Sequence, residues 1–292
     1  MEQVYDSLNS HAIGIVMKEL VRRAMAAIRR QRITFEAKHK LAYDGISDDL
    51  VTTADAAAQE VFIRSLRECF PQFGIIAEED DLFIPCTHPT LDIYFTVDPL
   101  DGTKAFGRRQ SHGVGSMISL VCQGKVIASY IADINTQEIY GYRPDSQKVH
   151  RISDLDMTEQ LSIDTNRPLA NQVILLRDPL PEYDSPAVAE LTAHMKSYQI
   201  ADGSIGVMMA RLWKSEVGAV VLRPGHQTPW DATPIIGISR KLGFSFISLV
   251  ETGSQLVMEP AFEELPKEVI TTDHNILVVH ESQLPIVEQL LC

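Results

Sequence analysis

An apolar run that ends in a turn carrying two acids does most to limit what this chain can fold into. Residues Leu91 to Val97 (LDIYFTV) lead straight into Asp98-Pro99-Leu100-Asp101-Gly102-Thr103-Lys104. A short apolar run closed by turn residues reads as a buried strand. A tight turn follows it, and Gly102-Thr103 stands where a helix would begin. Asp98 and Asp101, three residues apart, can face one pocket. Backbone N–H groups at a helix start hold an oxyanion well. The combination suits a hard divalent cation together with phosphate. On its own such a turn is only moderately specific, because Asp, Gly and Thr are ordinary turn residues.

Three more acidic segments accompany it. Upstream lie Asp49-Leu50-Val51-Thr52-Thr53-Ala54-Asp55 and Ile75-Ile76-Ala77-Glu78-Glu79-Asp80, and downstream lies Pro229-Trp230-Asp231-Ala232-Thr233-Pro234. In this order and at these intervals, the four segments resemble the inositol monophosphatase superfamily of magnesium-dependent, lithium-sensitive phosphomonoesterases. The resemblance covers most of the chain and is weakest from Glu138 to Pro168.

The resemblance implies an α/β (α+β) fold, a layered αβαβα sandwich, and a metal-dependent hydrolase. Hydrolysis of a phosphate monoester needs an attacking water, neutralised equatorial oxygens and help for the leaving alkoxide. Two ions about 4 Å apart can supply all three. By resemblance, Glu78, Asp98 and the backbone carbonyl of Leu100 hold one Mg²⁺, and Asp98 bridges to a second held by Asp101 and Asp231. Two or three ions are expected, with Mn²⁺ as a substitute. Thr103 would bond the nucleophilic water and pass polarity to Asp55, with Glu78 sharing the orientation of that water. Gly102 and Thr103 would receive the phosphate on their N–H groups, and Glu79 would brace the ligands. Read singly, each acid is equally a solvated turn or cap residue. Asp55 also fits as a first-turn helix acid and Thr103 as an N-cap, and both roles can hold together.

Substrate choice is less legible. Leu222 to Asp231 (LRPGHQTPWD) has no acid before the Trp-Asp pair, where inositol-specific members carry one for sugar hydroxyls. Arg223 there, and Lys104 after DPLDGT, look more like the CysQ-type 3′(2′),5′-bisphosphate nucleotidases. A guanidinium at that place could grip a second phosphate, or cap a strand end and face solvent. Asp48 to Thr52 (DDLVT) leans instead towards the inositol-type motif. Gly203-Ser204 resembles the family's substrate-side pair and equally reads as a bare N-cap. Ile139 to Ile152 lacks the family's usual glycine-rich loop, and Pro234 fits a first helical turn. The expected partner is a small phosphorylated molecule, a bisphosphate nucleotide ahead of an inositol or sugar phosphate. A catalytically silent, ligand-binding regulator is the reading from another class.

Composition sets the outer limits. The formal charge of −13 over 292 residues argues against a broad nucleic-acid surface. Cys69, Cys86, Cys122 and Cys292 form no CxxC pair, and the nine His residues show no zinc spacing. Glu2 and Asp6 stand where a leader would be apolar, and no run approaches the ~18 residues of a spanning helix. A cytoplasmic protein that does not engage the membrane is expected, with a homodimer implied by the resemblance.

Periodicity predicts helices over 4–31, with Val4, Leu8, Ala12, Ile15, Val16, Leu20 and Ile28 recurring, and over 53–70, with Ala58, Val61, Phe62, Leu66 and Cys69 inward. Strands are expected at 116–121 and 126–134 around a Gln123-Gly124 turn, then at 139–142, 173–176, 217–222, 244–250 and 276–279. Helices at 186–197, 204–215, 231–242 and 282–291 alternate with the later strands. That change of rhythm predicts an N-terminal α+β half, 1–150, and a C-terminal α/β half, 151–292, carrying Asp231 and the substrate loop.

Overall fold

Strands whose alternate residues are apolar on both faces need a layer on each side, and here two such sheets share one helical layer. The computed structural model describes residues 4–5, 8–42, 45, 48–252 and 255–291, so Glu2, Asp6 and Cys292 lie outside the described residues. The larger sheet has eight strands, in the order Thr158–Gln160, His150–Ile152, Glu138–Tyr142, Lys125–Asp133, Gly115–Cys122, Ile93–Asp101, Gly74–Ala77 and Leu82–Ile84. The smaller has six, in the order Ser197–Ile200, Val173–Leu176, Ala219–Leu222, Asn275–His280, Phe244–Thr252 and Gln255–Pro260.

Burial follows the pleat. Ile118 and Leu120 turn to one face of the large sheet, against helices Ser10–Gln31 and Thr53–Cys69. Met117 and Ile131 turn to the other, against helices Ile205–Trp213 and Pro229–Lys241. The same two helices receive Val220, Leu222, Ile276 and Val278 from the small sheet. Ile174, Leu176, Leu277 and Val279 close the far face with helices Pro186–His194 and Leu284–Leu291. The layers therefore run αβαβα, as the resemblance implies.

Several expected boundaries move, each for a local reason. The first helix starts at Ser10, where the Asn9 side chain accepts the Ala12 N–H at 2.9 Å, and Val4–Tyr5 pairs with Leu8–Asn9 as a short antiparallel ladder. Its buried stripe is Ile13, Met17, Leu20, Val21, Ala24 and Ile28, while Ile15 is 54% exposed. Cys69 is exposed too, because Leu66 already fills the inner face of the last turn. Pro234 sits inside helix Pro229–Lys241 rather than in its first turn, so it cannot donate the usual bond to the residue four back. Its carbonyl instead accepts from Ser129 Oγ at 3.2 Å, tying the helix to the large sheet. The strands His150–Ile152 and Thr158–Gln160 remain in the first sheet, so sheet membership changes between 161 and 172, later than residue 150.

The strand expected to stop at Val97 runs on to Asp101, and this shapes the site. Asp98 pairs with Met117 and Asp101 with Gly115, so three steps on one strand oppose two on its partner. In a regular strand, residues three apart face opposite sides. The bulge absorbs one residue, and both carboxylates come to the same side. Pro99 is tolerated there because the bulge breaks the ladder.

Candidate active site

The bulged strand end, the start of helix Pro229–Lys241 and the start of helix Ile205–Trp213 converge on one cleft. Asp98, Asp101 and Asp231 each bring a carboxylate oxygen within 4.8 Å of the others. They line a cavity of about 350 Å³ with Glu78, Leu100, Gly102, Thr103, Lys104, Arg177 and Gly203 among its walls. Glu78 meets the cavity from the end of strand Gly74–Ala77, held at 3.2 Å by the Lys40 ammonium. Lys40 also reaches Glu79 at 3.5 Å.

Each carboxylate is braced differently. Asp101 accepts the Gly206 N–H at 2.9 Å, the Ile205 N–H at 3.2 Å and the Ser204 hydroxyl. Asp231 accepts from Thr228 Oγ1 at 2.8 Å, and the same Thr caps the helix that carries it. Asp98 is 2% exposed, and its Oδ1 is buried without a hydrogen-bond partner. A buried acceptor left bare is costly. A divalent cation accepting lone pairs from three oxygens would satisfy it, so the residues present fit a hard metal ion.

Electrostatics points the same way. Burial, reinforced by Glu78, Asp101 and Asp231, holds the Asp98 carboxyl well above the usual range. Burial and Asp231 push Asp101 up to about 6, against the pull of Ser204, Gly206 and Arg177. Burial lifts Glu78 to about 8 although Lys40 opposes it, with Asp231 and Glu79 adding to the rise. Burial would depress the Lys40 ammonium, but Glu78 and Glu79 outweigh it and hold it above its ordinary value. So many crowded, desolvated carboxylates need either protons or cations.

Thr103 forms the next piece. Its Oγ1 lies 3.0 Å from Asp55 Oδ1 and 3.0 Å from the Leu100 carbonyl. Asp55 is fully buried; its Oδ2 accepts the Thr52 N–H at 2.8 Å and the Thr52 hydroxyl at 2.5 Å. Asp55 thus closes a capping box at the start of helix Thr53–Cys69 while its other oxygen reaches Thr103. Burial raises its pKa against these donors. Thr103 is the first residue of helix Thr103–Gly107, and Gly102, not Thr103, is its N-cap. Gly102 has φ +88, and a Cβ there would lie 2.3 Å from the Gly113 carbonyl. Gly203, with φ +81, presses on the same carbonyl, to which Ser204 donates its N–H at 2.9 Å. Only glycine lets these three backbones meet.

The other expected residues are placed less simply. Lys104 leans 3.6 Å from Asp49. Ser204 caps its helix and turns its hydroxyl to Asp101. Arg223 lies 2.8 Å from Glu182 and 3.5 Å from Asp178, so both carboxylates already neutralise it. It lines a neighbouring cavity of about 430 Å³ that shares Asp101, Arg177, Asp178 and Asp231 with the first. Arg177 was not singled out from the sequence, yet it lines both cavities and donates to the Gly203 carbonyl at 3.1 Å. It directly follows Val173–Leu176, a strand parallel to both neighbours. Residues just past the carboxyl end of parallel strands are where ligands meet α/β sheets, and that signal could have found it. Lys40 and Gln59 were missed as well.

Among curated proteins, the Nus factor SuhB of Salmonella typhimurium strain 14028s is 33% identical over 94 residues, 32% of this chain and 34% of the relative. The 3′(2′),5′-bisphosphate nucleotidase CysQ of Salmonella typhimurium strain LT2 is 34% identical over 90 residues, 29% of this chain and 33% of the relative. The matched stretch thus spans about a third of the length of these relatives. In structure, the suppressor protein SuhB of Bartonella henselae superposes with a TM-score of 0.73 at 20% identity, covering 96% of this chain and 98% of the other. An IMPase/NADP phosphatase complexed with Mg²⁺ and phosphate superposes at 0.67 and 16% identity, over 95% and 94% of the two chains. The sequence pattern of the inositol monophosphatase family matches residues 10–243. A match across most of the chain, on a fold shared end to end with these structures, places this protein in the inositol monophosphatase family.

Proposed function

We propose that this chain is a Mg²⁺-dependent phosphomonoesterase acting on a small phosphate ester. The observation that carries the reading is the convergence of Asp98, Asp101 and Asp231 within 4.8 Å around a buried, partnerless Asp98 oxygen. These three, with Glu78 and the Leu100 carbonyl, would hold the cations, which supply charge neutralisation and a more acidic water. Thr103 Oγ1 can give its proton to Asp55 Oδ1 while its lone pairs accept one from an attacking water. Asp55, raised by burial, is a competent proton holder. Glu78, which lines the same cavity, would orient that water. Gly102 and Thr103 line this cavity at the turn into helix Thr103–Gly107, and their N–H groups would receive the phosphate. Ser204 acts through Asp101 rather than on substrate.

For the substrate, the reading favours a compound with a second anionic group, such as a 3′(2′),5′-bisphosphate nucleotide, over an inositol or sugar monophosphate. The adjoining cavity offers room beyond one phosphate, and Arg177 stands at the junction of the two. Arg223, paired with Glu182 and Asp178, is the weaker anchor. The second reading, a silent ligand-binding regulator, finds its motive in relatives named as Nus factors. The intact Thr103–Asp55 pair favours the enzyme.

The test is Mg²⁺-dependent phosphate release from 3′-phosphoadenosine 5′-phosphate and inositol 1-phosphate, for the native chain, Arg177→Met and Arg223→Met. A nucleotide preference that Arg177→Met removes and Arg223→Met spares is expected. An inositol preference untouched by either overturns the substrate assignment, and no turnover of any phosphate ester overturns the enzyme.

A further inference from the structure

We infer that Gln59 is a positioning residue that presets the Glu78–Glu79 turn for cation binding; this rests on the proposed function. Strand Gly74–Ala77 ends directly before Glu78, and the chain must reverse into Leu82–Ile84 within four residues. It does so through Asp80 and Asp81, at φ 61 and φ 47, a left-handed conformation that side-chain-bearing residues adopt at a cost. Such a turn persists only if its surroundings dictate it.

One side chain supplies two of the bonds that do so. Gln59 Oε1 accepts the Glu79 N–H at 3.1 Å, and Gln59 Nε2 donates to the Glu79 carbonyl at 2.8 Å. The amide thus serves both backbone groups of one residue, as a neighbouring strand would. Glu79 is 8% exposed, so water is a poor substitute for either bond. Glu78 is fixed on the other side by its own N–H, which donates to the Val97 carbonyl at 3.2 Å. Gln59 therefore completes the frame that aims the Glu78 carboxylate into the cavity.

The same helix carries Asp55 one turn earlier, on the same face. Helix Thr53–Cys69 thus sets both the Thr103 hydroxyl, through Asp55, and the Glu78 carboxylate, through Gln59. Only an amide can do the second task. A carboxylate at 59 would accept the Glu79 N–H but could not donate to its carbonyl, and an apolar side chain would do neither. Lys40, salt-bridged to both glutamates, ties the turn to the hairpin Ala37–Leu41/Asp48–Thr52 as well.

The experiment compares the full chain with Gln59→Met, Gln59→Glu and a control on the same helix, Leu66→Ala. Mg²⁺ affinity is read by calorimetry, and Glu79 amide exchange is read by NMR in EDTA. Gln59→Met should weaken Mg²⁺ about tenfold or more and speed Glu79 exchange. Gln59→Glu should fall between, and Leu66→Ala should lower Tm without moving Mg²⁺ affinity. The inference is overturned if Gln59→Met leaves Glu79 exchange or Mg²⁺ affinity unchanged, or if Leu66→Ala shifts that affinity equally. A native chain that binds no Mg²⁺ overturns the functional reading, while the exchange rates still decide whether the clamp exists.

Discussion

Replacing Thr103 with Val keeps the branched shape and deletes one hydroxyl, so its consequences can be worked from a few distances. The Oγ1 lies 3.0 Å from Asp55 Oδ1 and from the Leu100 carbonyl. Without it, Oδ1 of a fully buried carboxyl loses its donor, while Oδ2 keeps both bonds from Thr52. Leaving such an acceptor bare costs about 1–3 kcal/mol. At an unfolding entropy of about 2.1 cal/mol/K per residue, that lowers Tm by roughly 2–5 °C for a chain this long. The Thr103 donor favours the ionised form of Asp55, so its loss raises that pKa further. The penalty should therefore shrink at acidic pH, where Asp55 accepts a proton, and grow at alkaline pH. The catalytic effect is larger, because the proton path from water to Asp55 is cut; a loss of about 10²–10⁴ in kcat is expected. Thr103→Ser, which keeps the hydroxyl, should stay within about tenfold. Phosphate release at saturating Mg²⁺, with Mg²⁺ affinity measured separately, isolates this step. A Thr103→Val enzyme with native kcat would refute the proton path.

The metal-free protein should lose stability as pH rises. Asp101, Glu79 and Glu78 hold protons up to about 6, 7 and 8 in the fold, mainly through burial, whereas the unfolded chain releases them near ordinary carboxyl values. From about pH 5 to 8 the folded state then binds more protons, and each extra one removes about 1.4 kcal/mol per pH unit. Tm measured in EDTA should fall between pH 6 and pH 8, and Mg²⁺ should raise it more at pH 8; a pH-independent Tm would contradict the crowding. Gly203→Ala combines a left-handed φ with a Cβ 2.3 Å from the Gly113 carbonyl. Urea unfolding should show a loss of about 2 kcal/mol or more, and a neutral substitution would mean the two loops can separate freely.

Much of the fold was legible because it rests on local pattern. Apolar runs such as Val173–Leu176 and the hairpin around Gln123 and Gly124, both at positive φ, need only neighbouring residues to be read. The layered order was legible only through the resemblance, since periodicity does not say which face of Gly115–Cys122 meets which helix. Within the site, the acids of DPLDGT announce themselves by spacing on a turn, yet the strand runs on through them, and a regular strand would set Asp98 and Asp101 on opposite faces. The bulge that reconciles them is a property of the pairing with Met117 and Gly115, remote in sequence. Lys40 and Gln59 were illegible for the same reason: each meets Glu78 or Glu79 only when a hairpin or a helix packs against that turn. Arg223 shows the converse, a plausible anchor claimed by two acids, Asp178 and Glu182, that lie more than forty residues away. Ser204 similarly reads as a cap or a substrate contact until its hydroxyl is found on Asp101.

The central claim is that Asp98, Asp101 and Asp231 hold the cations for hydrolysis. Asp101→Asn tests it most directly, because the amide fits the same space and removes the charge. Asn can keep its oxygen towards Ser204 and Gly206 and lose only the longer bond from Ile205. Mg²⁺-dependent phosphate release from 3′-phosphoadenosine 5′-phosphate and inositol 1-phosphate should fall by about 10² or more, with a higher Mg²⁺ requirement. Phosphate release that proceeds at the native rate and with the native Mg²⁺ dependence would contradict the account.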